Sequence, residues 1–134
     1  MEFEKEDSMN IFLICPVRHA TEEETAKIQA YVDDLESKGN NVYWPARDTN
    51  QTMQELHICN ANAGNIVHFA HEVHIWWNGK SEGSLFDLGM VFMIQYLCPI
   101  AKKIILANKE DIKETEFKSF NNLLRTMGNG HRRV

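Results

Sequence analysis

Little in this chain suits a secreted, membrane-spanning or nucleic-acid-gripping protein. Cysteine is scarce: Cys15, Cys59 and Cys98 form an odd, widely spaced set with no CxxC pair. No disulfide framework or Cys-pair zinc motif can be built from them, and free thiols in a reducing cytoplasm are expected. Long hydrophobic runs are missing too. The longest mostly apolar stretch, 85–97, contains Asp87 and Gln95 and is too short to cross a bilayer. The opening MEFEKEDSMN is acidic and lacks the basic-then-apolar order of a secretory signal. A cytoplasmic protein without membrane contact is therefore expected. Positive charge is also short, with 14 Lys and Arg against 19 Asp and Glu, a net charge of −5. Residues 1–36 hold ten acidic and three basic side chains, whereas 102–134 hold four and eight. Duplex binding through phosphates needs a denser basic face, so no nucleic-acid partner is expected. There is neither a GxxxxGK[ST] loop nor a GxGxxG after the first strand. A phosphoacceptor domain is excluded as well, because Cys15-Pro16 and Trp76-Trp77 stand where it needs acids.

What is present is ordinary globular material, with 43% apolar and 25% charged residues over 134 positions, enough for one domain with a core. Residues 1–8 read as a disordered lead-in, 9–127 as the domain and 128–134 as a flexible tail. The apolar run 9–15 suits a strand buried on both faces. Thr21-Glu22-Glu23-Glu24 caps a helix that stops near Gly39, with Ile28, Val32 and Leu35 on its inner stripe. Strands are expected at 41–44, 72–77 and 103–107, and helices at 52–70, 84–97 and 114–127. The helix over 84–97 is apolar nearly all round, so it should be covered on most sides, by the sheet and by another subunit. The order β-α-β-α-β-α-β-α implies an α/β, single-domain, three-layer Rossmann/flavodoxin-like fold. Its parallel sheet would have four to five strands, with helices on both faces. Ligands in such folds bind beyond the carboxyl ends of the strands. That directs attention to 15–20, 45–51, 77–87 and 108–111.

The most informative stretch is Ser81-Glu82-Gly83-Ser84-Leu85-Phe86-Asp87-Leu88-Gly89. A strand ends, a small-residue loop turns and a helix starts, presenting free backbone N–H groups to an anion. Gly83 permits close ligand approach and Gly89 close helix–sheet packing. Ser84-x-x-Asp87 is equally a capping box. Arg18, after the first strand, can fork onto a phosphate or carboxylate, or pair with Glu22 or Glu23. Arg47 and Asp48 would hold a ribose hydroxyl and a phosphate, or brace their loop. His68, His71 and His74 straddle a helix-to-strand change and have no partner at zinc spacing, so no metal is expected. Trp76 and Trp77 point to opposite faces of a strand and read as core fillers.

Laid out in this way, the chain resembles the nucleoside 2-deoxyribosyltransferase superfamily, which includes the smaller 2′-deoxynucleoside 5′-monophosphate N-glycosidases. The resemblance covers roughly 9–107 and rests chiefly on 81–89, which matches the family's Ser-x-Gly, aromatic, acid, Leu, Gly pattern without a gap. It puts the nucleophilic carboxylate on Asp87, the phosphate-contacting serine on Ser81 and a phosphate-binding arginine on Arg18. Two positions depart from the pattern: the nucleophile is usually Glu, and the family's second acid falls on His71. The resemblance implies attack by Asp87 on C1′ of a nucleotide or nucleoside, with Arg18, Ser81 and the Gly83–Ser84 amides anchoring a 5′-phosphate. His71 would serve as general acid or base. It implies a small-molecule nucleotide or nucleoside as partner, no metal or redox cofactor, and a homodimer or higher homo-oligomer through 84–97. Two alternatives stand beside it: a nucleotide-binding module without turnover, and an NAD or signal-nucleotide glycosidase or binder on a related fold.

Overall fold

The computed structural model describes residues 8–128. Its elements are β1 (Asn10–Ile14), α1 (Glu22–Ser37), β2 (Asn41–Tyr43), the short α2 (Pro45–Asp48), α3 (Glu55–Gly64), β3 (Glu72–Ile75), α4 (Glu82–Leu97), β4 (Lys103–Leu106) and α5 (Phe120–Gly128). A π-helical turn, Asn65–Phe69, extends α3 toward β3, and a 3₁₀ turn, Lys109–Asp111, follows β4. All strand pairs are parallel, in the order β2-β1-β3-β4. This is a Rossmann/flavodoxin-like α/β fold with a four-stranded sheet and five helices.

The strands are short and apolar because both faces are covered. Ile11, Leu13 and Cys15 pack with Val42, Trp44 and Trp76 against Ile28 and Val32 of α1. Phe12 and Ile14, pointing the other way, join Val73, Ile75 and Trp77. Over that second face lie Ile66 of the π turn, Leu88 and Val91 of α4, and Leu124 and Met127 of α5. Trp76 and Trp77 thus fill separate cores, as their alternation requires.

Several boundaries differ from those expected. Ser8 is tied down, its hydroxyl donating to the Gly39 carbonyl at 2.8 Å. Residues 1–7 of the expected lead-in and 129–134 of the expected tail lie outside the described residues. Gly128 ends α5 and packs so tightly that a Cβ there would sit 2.5 Å from Leu106 Cγ, so only glycine fits. The last helix begins at Phe120, not 114, because Thr115 and Ser119 hydroxyls and Asn122 tie 115–122 into a hydrogen-bonded turn. Phe117, within the range expected to be helical, is exposed. Thr21 caps α1 as its sequence requires, its Oγ1 accepting from Glu24 N at 3.0 Å.

Within one chain α4 buries one stripe against the sheet, Ser84, Asp87, Leu88 and Val91. Leu85, Phe86, Phe92, Met93, Tyr96 and Leu97 are exposed. Gly89 lies on the exposed side, where an added Cβ would meet nothing within 4 Å, so it does not serve helix–sheet packing. No helix among the described residues is long and apolar enough to cross a membrane.

Candidate functional site

The chain reverses direction across the sheet between β1 and β3, and a cleft opens beyond their carboxyl ends. It offers about 280 Å³. One wall follows β1 and comprises Cys15, Val17, Arg18 and His19; Pro45 and Gln51 follow β2; Ser81, Glu82, Gly83 and Asp87 follow β3. Three of the four segments singled out in the sequence therefore meet here. The fourth does not, because Asn108 is buried with its amide clamped to the backbone N–H and C=O of Trp77, at 2.9 and 2.8 Å. The remaining wall, Glu55, Ile58, Cys59 and Asn62 of α3, was missed. Its signal was legible: 55, 58, 59 and 62 recur at helical spacing as one stripe.

With Cys15, Asp87 is one of two strongly perturbed groups of the cleft. It sits in the second turn of α4, facing the sheet, with 7% of its surface exposed. Among the described residues its one hydrogen-bond partner is Asn62, whose Nδ2 donates to Oδ2 at 3.5 Å. Burial pushes its carboxyl up to about 7, and the Asn62 contact offsets only part of that. A carboxyl that loses its proton near neutrality can serve as acid, base or nucleophile in a shielded site.

The start of α4 explains what surrounds it. Ser81 is the N-cap, its Oγ accepting from Ser84 N at 3.0 Å, while Leu85 N donates to the Ser81 carbonyl at 3.1 Å. The unclaimed N–H groups of the first turn are those of Glu82 and Gly83, both on the cleft wall. This corrects the expectation for Ser84, whose N–H is already used. Its side chain is buried beneath the wall, with its Oγ unpartnered. Arg18 is exposed on the opposite lip and, among the described residues, makes no ion pair, with Glu22, Glu23 or otherwise. Cys15 shares the cleft, but burial first of all pushes its thiol up to about 12, so it is not a nucleophile at neutral pH.

Three expected site residues lie elsewhere. Arg47 and Asp48 do not line the cleft; they brace α2. Arg47 binds Asp48 at 2.8 Å, Glu36 at 3.0 Å and the Val42 carbonyl at 2.9 Å, and Asp48 accepts from Trp44 N at 2.8 Å. Burial opposes ionisation of Asp48, but these donors outweigh it and hold the carboxyl below its usual range. His71 precedes β3, exposed at the amino edge of the sheet, where its Nδ1 accepts from Asn10 N at 3.0 Å. Six residues of extended chain, roughly 20 Å, separate it from Trp77 at the cleft end. It cannot act beside Asp87.

His74 belongs to a different network. Its Nε2 lies 2.9 Å from Glu72 and its Nδ1 2.6 Å from the Tyr31 hydroxyl, under α1. Among the described residues no cluster of three or more His, Cys, Asp or Glu has metal-site geometry. No protein-family model matches this chain, and no curated protein matches it.

Proposed function

We propose that this protein is an N-glycosidase that cleaves, or transfers across, the N-glycosidic bond of a (deoxy)nucleoside 5′-monophosphate or nucleoside, with Asp87 as the nucleophile. The supporting observation is the placement of Asp87: a buried carboxyl opening on a cleft that also holds a helix N-terminus and Arg18, which makes no ion pair among the described residues. The Glu82 and Gly83 N–H groups, the Ser81 hydroxyl and Arg18 form the anionic subsite, where a 5′-phosphate binds. That remote contact holds C1′ against Asp87. As Asp87 Oδ bonds to C1′, the C1′–N bond breaks, its electron pair stays on the base, and the base nitrogen takes a proton from solvent. Water then attacks C1′, freeing Asp87 and a sugar 5-phosphate; a second base in place of water completes a transfer. Gln51 and Glu55, on the facing wall, supply polar groups for the edge of the base. No cofactor enters this scheme. About 280 Å³ is at the lower end of ligand pockets, which run from about 300 to 1,000 Å³. That size favours a mononucleotide over a dinucleotide such as NAD. Free thiols at Cys15, Cys59 and Cys98 fit a cytoplasmic address.

One observation favours a nucleotide-binding module without turnover: His71, at the position of the superfamily's second acid, lies at the far end of the sheet. Base release decides between the two. Ribo- and deoxyribonucleoside 5′-monophosphates, nucleosides and NAD are incubated with the protein and with Asp87→Asn, and free base is measured by chromatography. Release by the wild type, reduced at least about 10³-fold in the variant, is expected. Equal release by both would remove Asp87 from its role. Thermal stabilisation by a nucleotide with no release from any compound would establish the binding module.

We also propose a homodimer through α4. Leu85, Phe86, Phe92, Met93, Tyr96, Leu97 and nearby Ile100 are 40–81% exposed. At about 200 Å² for a large apolar side chain, they offer on the order of 800 Å², one side of a standard interface. Gly89, with open space around it, costs about 1 kcal/mol of helix stability that nothing among the described residues repays. A second α4 crossing there explains it, since interhelical approach is closest where side chains are smallest. Light scattering should give a dimer for the wild type and a monomer for Gly89→Arg; a monomeric wild type would overturn this.

A further inference from the structure

The donor that faces Asp87 is itself held in place. Asn62 is buried in α3, and its amide has two unlike ends, an accepting oxygen and a donating nitrogen. The oxygen accepts from Thr49 Oγ1 at 3.2 Å, which leaves the nitrogen directed at Asp87. Thr49, also buried, has a single hydroxyl hydrogen, and it is committed to Asn62. Its 2.6 Å contact with the Tyr43 hydroxyl is then one in which Tyr43 donates, the single phenolic hydrogen lying toward this short contact in preference to the longer, 3.3 Å one to the Asp48 carbonyl. The chain of bonds has one direction throughout, and it crosses from β2 through the end of α2 to α3 and α4. Thr49 is the residue on which α2 ends, so the Arg47–Glu36 and Asp48–Trp44 contacts that brace α2 also seat Thr49.

We propose that Tyr43, Thr49 and Asn62 are positioning residues for Asp87, a relay that prevents the Asn62 amide from turning round. A free amide would follow the proton: nitrogen toward Asp87 when the carboxyl is ionised, oxygen toward it when it is protonated. With Thr49 holding the oxygen, the Asn62 nitrogen donates more strongly to the ionised carboxylate than to the neutral acid, whose O–H finds no acceptor on Asn62, so the relay favours the state in which Asp87 attacks. The other groups that share the cleft with Asp87 are Cys15, Arg18 and His19 after β1, Glu55 and Cys59 on α3, and Glu82 on α4. None of these touches Thr49 by a hydrogen bond, so a change at Thr49 reaches Asp87 through Asn62.

This inference rests on the reading of Asp87 as the working carboxyl, but its test observes that carboxyl directly. The full chain, labelled with ¹³C at aspartate side-chain carboxyls, is titrated by NMR without substrate, with Asp87→Asn assigning the signal. Thr49→Val, which keeps shape and removes the hydroxyl, should raise the Asp87 midpoint by about one pH unit; Tyr43→Phe should raise it less, and Thr49→Ser should restore it. An unchanged midpoint in Thr49→Val would overturn the relay, as would a rise that Thr49→Ser fails to reverse. Should Thr49→Val not fold, Tyr43→Phe and Thr49→Ser decide in its place: a midpoint raised by the first and held by the second supports the relay, and any other pair overturns it. The two proposals fail separately. The expected shifts without base release by any protein would leave the relay standing and remove the glycosidase; base release with no shift would do the reverse.

Discussion

Two buried titratable groups sit in neighbouring parts of one sheet and are treated in opposite ways. His74, in the middle of β3 beneath α1, has a partner for each ring nitrogen, Glu72 at 2.9 Å and Tyr31 at 2.6 Å. With Glu72 ionised, Nε2–H donates to it and Nδ1 accepts the Tyr31 hydroxyl, so nothing in the trio is left over. Burial pushes the imidazole down, the Glu72 contact opposes this without cancelling it, and the Tyr31 hydroxyl is pushed up to about 12, again mainly by burial. The imidazole is neutral and satisfied. Asp87, as deeply buried, has one long contact to Asn62 and an open cleft in front of it. A satisfied buried group holds the fold together, whereas an under-satisfied one is held ready for something that is not part of the protein.

The contrast is most sharply tested by removing the strained charge. Folded Asp87 gives up its proton at about 7, and an unperturbed aspartate at 3.8. Between those values the folded chain holds the extra proton, so stability falls as pH rises through that window and levels off above it. Asp87→Asn should therefore be more stable than wild type by about 4 kcal/mol at pH 8, with the advantage gone near pH 4, as read by urea unfolding at both. Equal stability at pH 8 would place Asp87 with the satisfied groups. Next in size, His74→Leu should lose about 2–3 kcal/mol at pH 7.5, because the half-buried Glu72 and Tyr31 are left without their shared partner. A loss under about 0.5 kcal/mol would mean that the trio does not hold α1 to the sheet.

The pH slopes provide a third separation. Folded His74 resists protonation, and the unfolded chain accepts a proton below about 6.5. Stability from this group is full above that pH and is lost as pH falls toward the lowered folded value, the opposite sign to Asp87. Unfolding free energies from pH 5 to 8 should show the acid-side loss removed in His74→Leu and the alkaline-side loss removed in Asp87→Asn. Identical slopes in both variants would collapse the distinction. The smallest effect is that of Tyr31→Phe, about 1 kcal/mol for one hydroxyl bond, with no change in base release.

The fold was legible because its signals are local. Apolar runs closed by Pro16 and Pro45, a capped helix at Thr21 and the alternation of strand and helix lead to a parallel sheet without any distant information. Ser81, Gly83 and Arg18 were legible for the same reason, each standing in the segment that follows a strand, and Asp87 because it lies one turn further along the helix that Ser81 opens. His71 was misplaced because correspondence of position in a pattern says nothing of which end of a strand a residue occupies; its place before β3, not after it, decides. Asn62 and Thr49 were not singled out, since their meaning is a relation between residues 13 and 25 positions apart, with no local signature. Arg47 and Asp48 allowed two readings in sequence, and the contacts to Glu36, Val42 and Trp44 leave them as the brace.

Trp76 and Trp77 carry a further consequence for how this sequence can change. The two are identical neighbours, yet one indole donates to Glu24 under α1 at 2.9 Å, while the other fills the opposite core with its backbone clipped by Asn108. Substituting either is a local event. Inserting or deleting one residue in β3 would exchange the faces of everything after it, sending large side chains into spaces shaped for others and unhooking Asn108. The pair thus tolerates drift in letter but not in length, and Asp87, ten residues further on, inherits a fixed starting point. Indels that reshape the cleft are admissible only in the turns after the sheet, such as the one carrying Gly79, where positive φ already marks a bend.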